Sequence, residues 1–356
     1  MLTPRFVLLC ACLFTVSEAL GNGQRDAQQV VSPPPISAGL SDAELSQALE
    51  QYLSALAGQD IFSGVVLVSK RGTPVFQKAY GYADRANKVP NAPATRFNLG
   101  SINKIFTHTA IAQLVSKGRL KYEDTLGMLL PDYPQAVTRA ATIEQLLTHR
   151  AGIADFFGEE FSRSPKDRFR SNADYFRFVS NLPPLFGPGE RNQYCNGCYI
   201  TLGAVIEKIA AVPYEQYILD NIYTPARMSG AGPIQMDDIV SDLAMGYTRR
   251  GSDRRLRSNI FMRGAAGSAA GGGFATAADL LAFDTAMKSG KLLDAKAVAS
   301  FYANGGFAGG APGTSAVIET GDVWTVIALT NLDPPVGERI GVGIMRALAS
   351  PASRGR

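Results

Sequence analysis

The chain is short of the residues that metal and triad chemistry need. Its 356 residues hold two histidines, four cysteines and one tryptophan. A structural zinc site wants four nitrogen or sulfur ligands, and neither His108 nor His149 stands at ligand spacing, so no metal is expected. A Ser-His-Asp triad has few candidates, and no G-x-S-x-G exists to hold its serine on a nucleophile elbow. H-E-x-x-H and G-x-x-x-x-G-K-[ST] are also missing, which argues against a zinc hydrolase and a phosphate cradle; no cofactor is expected. Charge is nearly balanced, 35 basic against 31 acidic residues, with no basic stripe interleaved with aromatics. No nucleic-acid partner is expected.

Long apolar runs are lacking too. The opening "MLTPRFVLLCACLFTVSEALGNG" has a basic residue at Arg5, an apolar stretch from Phe6 to Val16 and a small-x-small triplet at Ser17–Ala19. That is the pattern of a secretory signal peptide over residues 1–19, too short to span a bilayer, for which about 20 apolar residues are needed. A lipid anchor through Cys12 is a weaker reading. The mature chain is expected to be secreted or periplasmic, with no transmembrane segment. Residues 20–40, with "VVSPPPISAG", read as a flexible, polyproline-prone tether.

What is present is a globular composition, 46% hydrophobic and 19% charged. Ser41 and Glu44 form a capping box ahead of the amphipathic "SDAELSQALEQYLSALAG". "SGVVLVSKRGTPVFQKAYGYAD" reads as two strands around Arg71-Gly72, and "TSAVIETGDVWTVIALTN" returns to strand near the end, with Trp324 expected in the core. The stretch between is mainly helical, Thr276 and Asp279 cap "TAADLLAFDTAM", and a last helix is expected near Val336 to Ala349. The fold class is α+β: one antiparallel sheet built from both ends of the chain, flanked by terminal helices, with a helical lobe inserted. The domain is expected over 41–350, with a sheet lobe at about 41–96 plus 290–350 and a helical lobe at about 97–289.

Chemistry concentrates in two stretches. In "FNLGSINKIFTHTAIAQL" Ser101 and Lys104 stand three apart at a helix start and share a face. A lysine in an apolar groove is desolvated, which lowers its pKa and suits it to act as a base or as a cation beside an acid. A serine at a helix start gains from orphan N–H groups and becomes a nucleophile if a base is in reach. In "FGPGERNQYCNGCYITLGAVIEK" Tyr194 precedes another helix; a phenol near an ammonium is pushed toward phenolate and can take the serine proton. Asn196 can hold both Lys104 and a substrate amide.

Ser101-x-x-Lys104 followed by Tyr194-x-Asn196 resembles the serine β-lactamase and penicillin-binding-protein superfamily, in its branch of class C β-lactamases, esterases and D-amino-acid peptidases. "LLPDYPQAVTRAATIEQLLTHRAGI", "GSAAGGGFATAADLLAF" and "GGAPGTSA" fit in order, so the resemblance runs from about residue 41 to 345. It implies a β-lactamase/transpeptidase-like fold. It implies Ser101 as acylated nucleophile, Lys104 as its electrostatic partner, Tyr194 as base and then acid, and Asn196 as substrate-orienting amide. The oxyanion hole would be the Ser101 N–H and the Gly310 N–H. Substrates would be small esters, D-amino peptides or β-lactams, with cell-wall peptide as a further partner; the alternative is an impaired homologue that binds such a peptide or a protein without turnover.

The third family motif departs. A basic residue, any residue and glycine are usual; here the triplet is Phe307-Ala308-Gly309. Without that cation, neutral esters or amides are favoured over carboxylate-bearing β-lactams. The preceding "ASFYANGG" is short, which predicts a lost edge strand or hairpin. Cys195 and Cys198 flank the tyrosine motif and either pack as small residues or pair as a disulfide. His149 and His108 read as packing residues. "YTRRGSDRRLRSN", residues 247–259, reads as a solvated loop or as a contact to an anionic surface.

Overall fold

A computed structural model describes residues 34, 36, 39–303 and 305–349; the expected signal peptide over 1–19 and nearly all of the expected tether over 20–40 lie outside the described residues. Strand β1 (Gly64–Lys70) is a continuous apolar run because both its faces are covered. It turns at Arg71 and Gly72, whose φ of 50° and 80° match the twist of a tight hairpin, into β2 (Thr73–Tyr80). The late strands are β3 (Phe307–Ala311), β4 (Thr314–Thr320) and β5 (Trp324–Thr330). They form one antiparallel sheet in the order β2-β1-β5-β4-β3.

The period of two sorts the strand residues onto two cores. Val66, Val68, Val317, Val326 and Ala328 face the terminal helices α1 (Asp42–Gly58) and α6 (Val336–Ala349). Val65, Leu67, Ala316, Ile318, Ile327 and Leu329 face the inserted helices. Of these, α2 (Lys104–Ser116), α3 (Asn196–Ala210) and α4 (Ala277–Lys288) matter most here. The Ser41–Glu44 and Thr276–Asp279 capping boxes form as expected. Trp324 is a correction. It opens β5 partly exposed, with Lys70 Nζ 5.4 Å from its ring centroid, because the last residue pair of the β1–β5 ladder lies at the sheet's rim.

The edge strand is another. No hairpin precedes β3 among the described residues, yet β3 is in place as the edge strand and pairs with β4 over five registers. The short helix α5 (Ala295–Phe301) fills the space before it, and Phe307 packs on Phe301 and Tyr302, with ring centroids 5.0 and 6.2 Å away. The third-motif side chain is thus part of the packing beside the sheet.

Helix α4 is tied to the sheet by a buried carboxylate. Asp284, 2% exposed, accepts from Thr320 Oγ1 at 2.8 Å, Thr325 Oγ1 at 2.7 Å and Lys288 Nζ at 2.8 Å. Replacing Asp284 with Ala leaves two buried hydroxyls and an ammonium without that acceptor. The expected cost is about 3 kcal/mol in urea unfolding; a change under 0.5 kcal/mol would show that the tie contributes nothing.

Candidate active site

The helix start carrying Ser101 is a 3-10 turn, Gly100–Asn103, that runs directly into α2. Gly100 has φ 50°, and a Cβ on it would stand 2.8 Å from the Gly310 nitrogen. A Cβ on Gly309 would stand 2.1 Å from the Leu99 oxygen and 2.7 Å from the Ser101 nitrogen. Glycine at both positions lets strand β3 press its backbone against the serine turn, so the backbone at Gly310 comes close to that at Ser101.

The four side chains singled out in the sequence come together. Ser101 Oγ lies 2.6 Å from Tyr194 OH. Lys104 Nζ, on a residue 8% exposed, donates to Ser101 Oγ at 3.2 Å, Asn196 Oδ1 at 2.7 Å and the Ala270 carbonyl at 2.5 Å. It also lies 4.8 Å from the Tyr194 ring centroid and 5.5 Å from that of Tyr199. A hydroxyl held between a phenol oxygen and an ammonium can lose its proton to the first while the second offsets the charge that develops.

Three supporting groups were not picked out in the sequence. Asp155 accepts from Asn196 Nδ2 at 2.7 Å, which turns Oδ1 of that amide toward Lys104. Ala270 contributes only a carbonyl, on a loop pinned by Thr107 Oγ1 to the Ala269 oxygen at 2.7 Å and by Asn103 Nδ2 to the Ser268 oxygen at 3.1 Å. His149 was read as packing, and it packs in a telling place. Its ring centroid is 4.8 Å from that of Tyr194 and 5.3 Å from that of Tyr199. Its Nδ1 accepts from the Cys195 N–H at 3.2 Å, at a residue whose φ is 59°. "THRAG" signals the helix end, and nothing local signals the tyrosine beneath.

Cys195 and Cys198 are joined as a disulfide, and both are buried. The loop they close contains Asn196, at the first turn of α3. His108 is partly exposed at its surface, but it lies against Phe301 and desolvation pushes its pKa down to about 4. It takes no part in the hydrogen bonds around Ser101. The arginine-rich segment is an exposed hairpin loop between Tyr247–Thr248 and Arg257–Ser258, with Arg257 paired to Asp253 at 2.6 Å.

Ser101, Asn196 and Gly310 open onto a pocket of about 70 Å³. One wall is aromatic, from Phe156, Phe157, Phe161 and Tyr175; the other is the glycine-rich loop at Ala270–Gly272. A family model, Beta-lactamase, matches residues 47–326. The chain belongs to the β-lactamase family. This is a family of serine hydrolases. PbpX of Bacillus subtilis (strain 168) is 29% identical over 266 residues, 75% of this chain and 64% of that protein. Penicillin-binding protein 4* of the same strain is 32% identical over 183 residues, 51% of this chain and 40% of that protein. The match thus spans less than two thirds of either relative's length. Among solved structures, a penicillin binding protein from Bacillus halodurans superposes with a TM-score of 0.73 at 26% identity, over 83% of this chain and 98% of that one. A class C β-lactamase superposes with a TM-score of 0.70 at 18% identity, over 89% and 99%, which shows the β-lactamase/transpeptidase fold.

If His149 holds Tyr194 in place, His149→Ala should lower about tenfold the turnover of any ester the chain hydrolyses, because the Cys195 N–H loses its acceptor and the ring its support. His149→Asn should recover part of it, since asparagine tolerates positive φ and offers an acceptor. Equal rates in wild type and His149→Ala, at equal thermal stability, would remove His149 from the account.

Proposed function

We propose that the chain is an exported serine hydrolase that works through an acyl-enzyme on Ser101, with small esters, D-amino peptides or β-lactams as substrates. The observation that carries this is the closed set of contacts from Ser101 Oγ to Tyr194 OH and Lys104 Nζ, and from Lys104 to Asn196. The export part rests on the pattern of the first 19 residues alone.

Tyr194 acts as phenolate, the form the Lys104 ammonium beside it favours, and takes the hydroxyl proton as Ser101 Oγ attacks the carbonyl. The oxyanion that forms sits between the Ser101 and Gly310 N–H groups. Backbone donors do not depend on the side chain at 307, so the altered third motif leaves this half of the hole intact. Tyr194 then returns the proton to the leaving group. In the second half it accepts a proton from water, the water oxygen attacks the acyl carbonyl, and Ser101 is released with its proton restored. Lys104 stays charged, compensating whichever oxygen carries negative charge. Asn196 stays clamped between Asp155 and Lys104 and presents its amide at the pocket floor.

Intact mass after mixing with a chromogenic short-chain ester and, separately, a penicillin tests the reading. An acyl adduct or turnover should occur and vanish in Ser101→Ala. Tyr194→Phe removes the base and keeps the ring, so kcat should fall by about 10²–10⁴. Neither adduct nor turnover with either compound would sink the reading in favour of a homologue that binds cell-wall peptide or a protein without chemistry.

A further inference from the structure

The third motif lacks its cation, yet the pocket does not. Arg263 lines it together with Ser101, Asn196 and Gly310, just ahead of the glycine-rich loop. Its side chain is partly exposed. The guanidinium lies over Phe274, 4.7 Å from the ring centroid, and makes a long hydrogen bond of 3.4 Å to the Gly272 carbonyl. Among the described residues no carboxylate is paired with it. Burial pushes its pKa down to about 10, so it remains a cation at neutral pH.

A further observation points to an anion. No aspartate or glutamate lines this pocket. Arg85, Arg170 and Arg257 find carboxylates and Arg139 and Arg150 bond carbonyls on the surface, but Arg263 is the arginine that lines the pocket with Ser101. A guanidinium has five N–H donors in a planar fork that matches a carboxylate, and the long hydrogen bond to the Gly272 carbonyl occupies one of them. A carboxylate arriving there replaces lost hydration with charge-assisted hydrogen bonds, about twice as strong as neutral ones.

We propose that Arg263 is the anion-recognising residue of this pocket, and that the substrates are small esters or amides bearing a carboxylate that it holds while their carbonyl meets Ser101. The aromatic wall beside it suits an apolar body between those two ends. This reverses the leaning toward neutral substrates, which rested on the third motif alone. The inference rests on the acyl-transfer reading for the reaction; the binding of the carboxylate does not depend on it.

The test therefore has two arms on the full chain. In Ser101→Ala, titration calorimetry compares 4-phenylbutyrate with its neutral amide; the acid should bind about tenfold tighter, a difference that disappears in Ser101→Ala/Arg263→Gln and largely survives in Ser101→Ala/Arg263→Lys. In the active chain, 4-carboxyphenyl and 4-carbamoylphenyl phenylacetate are compared. The ratio of their kcat/KM values should fall about tenfold in Arg263→Gln, through KM, and hold in Arg255→Gln on the exposed hairpin. Equal binding of acid and amide in Ser101→Ala overturns the proposal, and needs no change at Arg263 that could disturb folding. An unchanged ratio in a folded Arg263→Gln also overturns it. Failure of both esters to turn over sinks the acyl-transfer reading instead, and the calorimetry still decides Arg263.

Discussion

A buried ammonium is the constraint around which this site is organised. An ammonium out of water is tolerated only where acceptors surround it. Lys104 is buried, and its acceptors come from three separate places: the serine turn, the first turn of α3 and the glycine-rich loop. Each of those segments must arrive within hydrogen-bond distance for the lysine to stay charged. The need to satisfy one cation therefore fixes the relative positions of nucleophile, amide and loop. Asp155 and the disulfide then fix the amide's own orientation and the backbone that carries it.

What could be read from the sequence divides along the range of the interaction. Ser101 and Lys104 stand three apart at a helix start, and local geometry alone puts them together; Tyr194 and Asn196 were legible as a short motif just before another helix. The capping boxes at Ser41 and Thr276 are equally local, and both form. The strands were legible because a sheet buried on both faces leaves continuous apolar runs. Asp155 and His149 were not legible in these roles, since each reaches its partner across some forty residues through a contact that no periodicity encodes. Ala270 could not have been found at all by residue type, because its contribution is a backbone oxygen.

The third motif shows the same division in reverse. Its side-chain chemistry departs from the family pattern, and the short segment before it suggested a lost edge strand or hairpin. Strand β3 nevertheless pairs along β4 and presses two glycines against the serine turn. What that segment supplies is backbone position, which tolerates phenylalanine where a base is usual because the ring finds aromatic neighbours beside the sheet.

Strand β1 is made early and its second partner late. Gly64 pairs with Thr330, and the Thr330 hydroxyl reaches the Ser63 carbonyl across 267 positions of chain. Until the ribosome has delivered the last fifth of the domain, β1 and β2 form an isolated hairpin with an open, apolar edge, a marginal unit in water. The serine turn is in the same position, waiting for β3 to bring its glycine. Nearly the whole chain must emerge before either the sheet or the site can close, so this topology folds after synthesis and slowly.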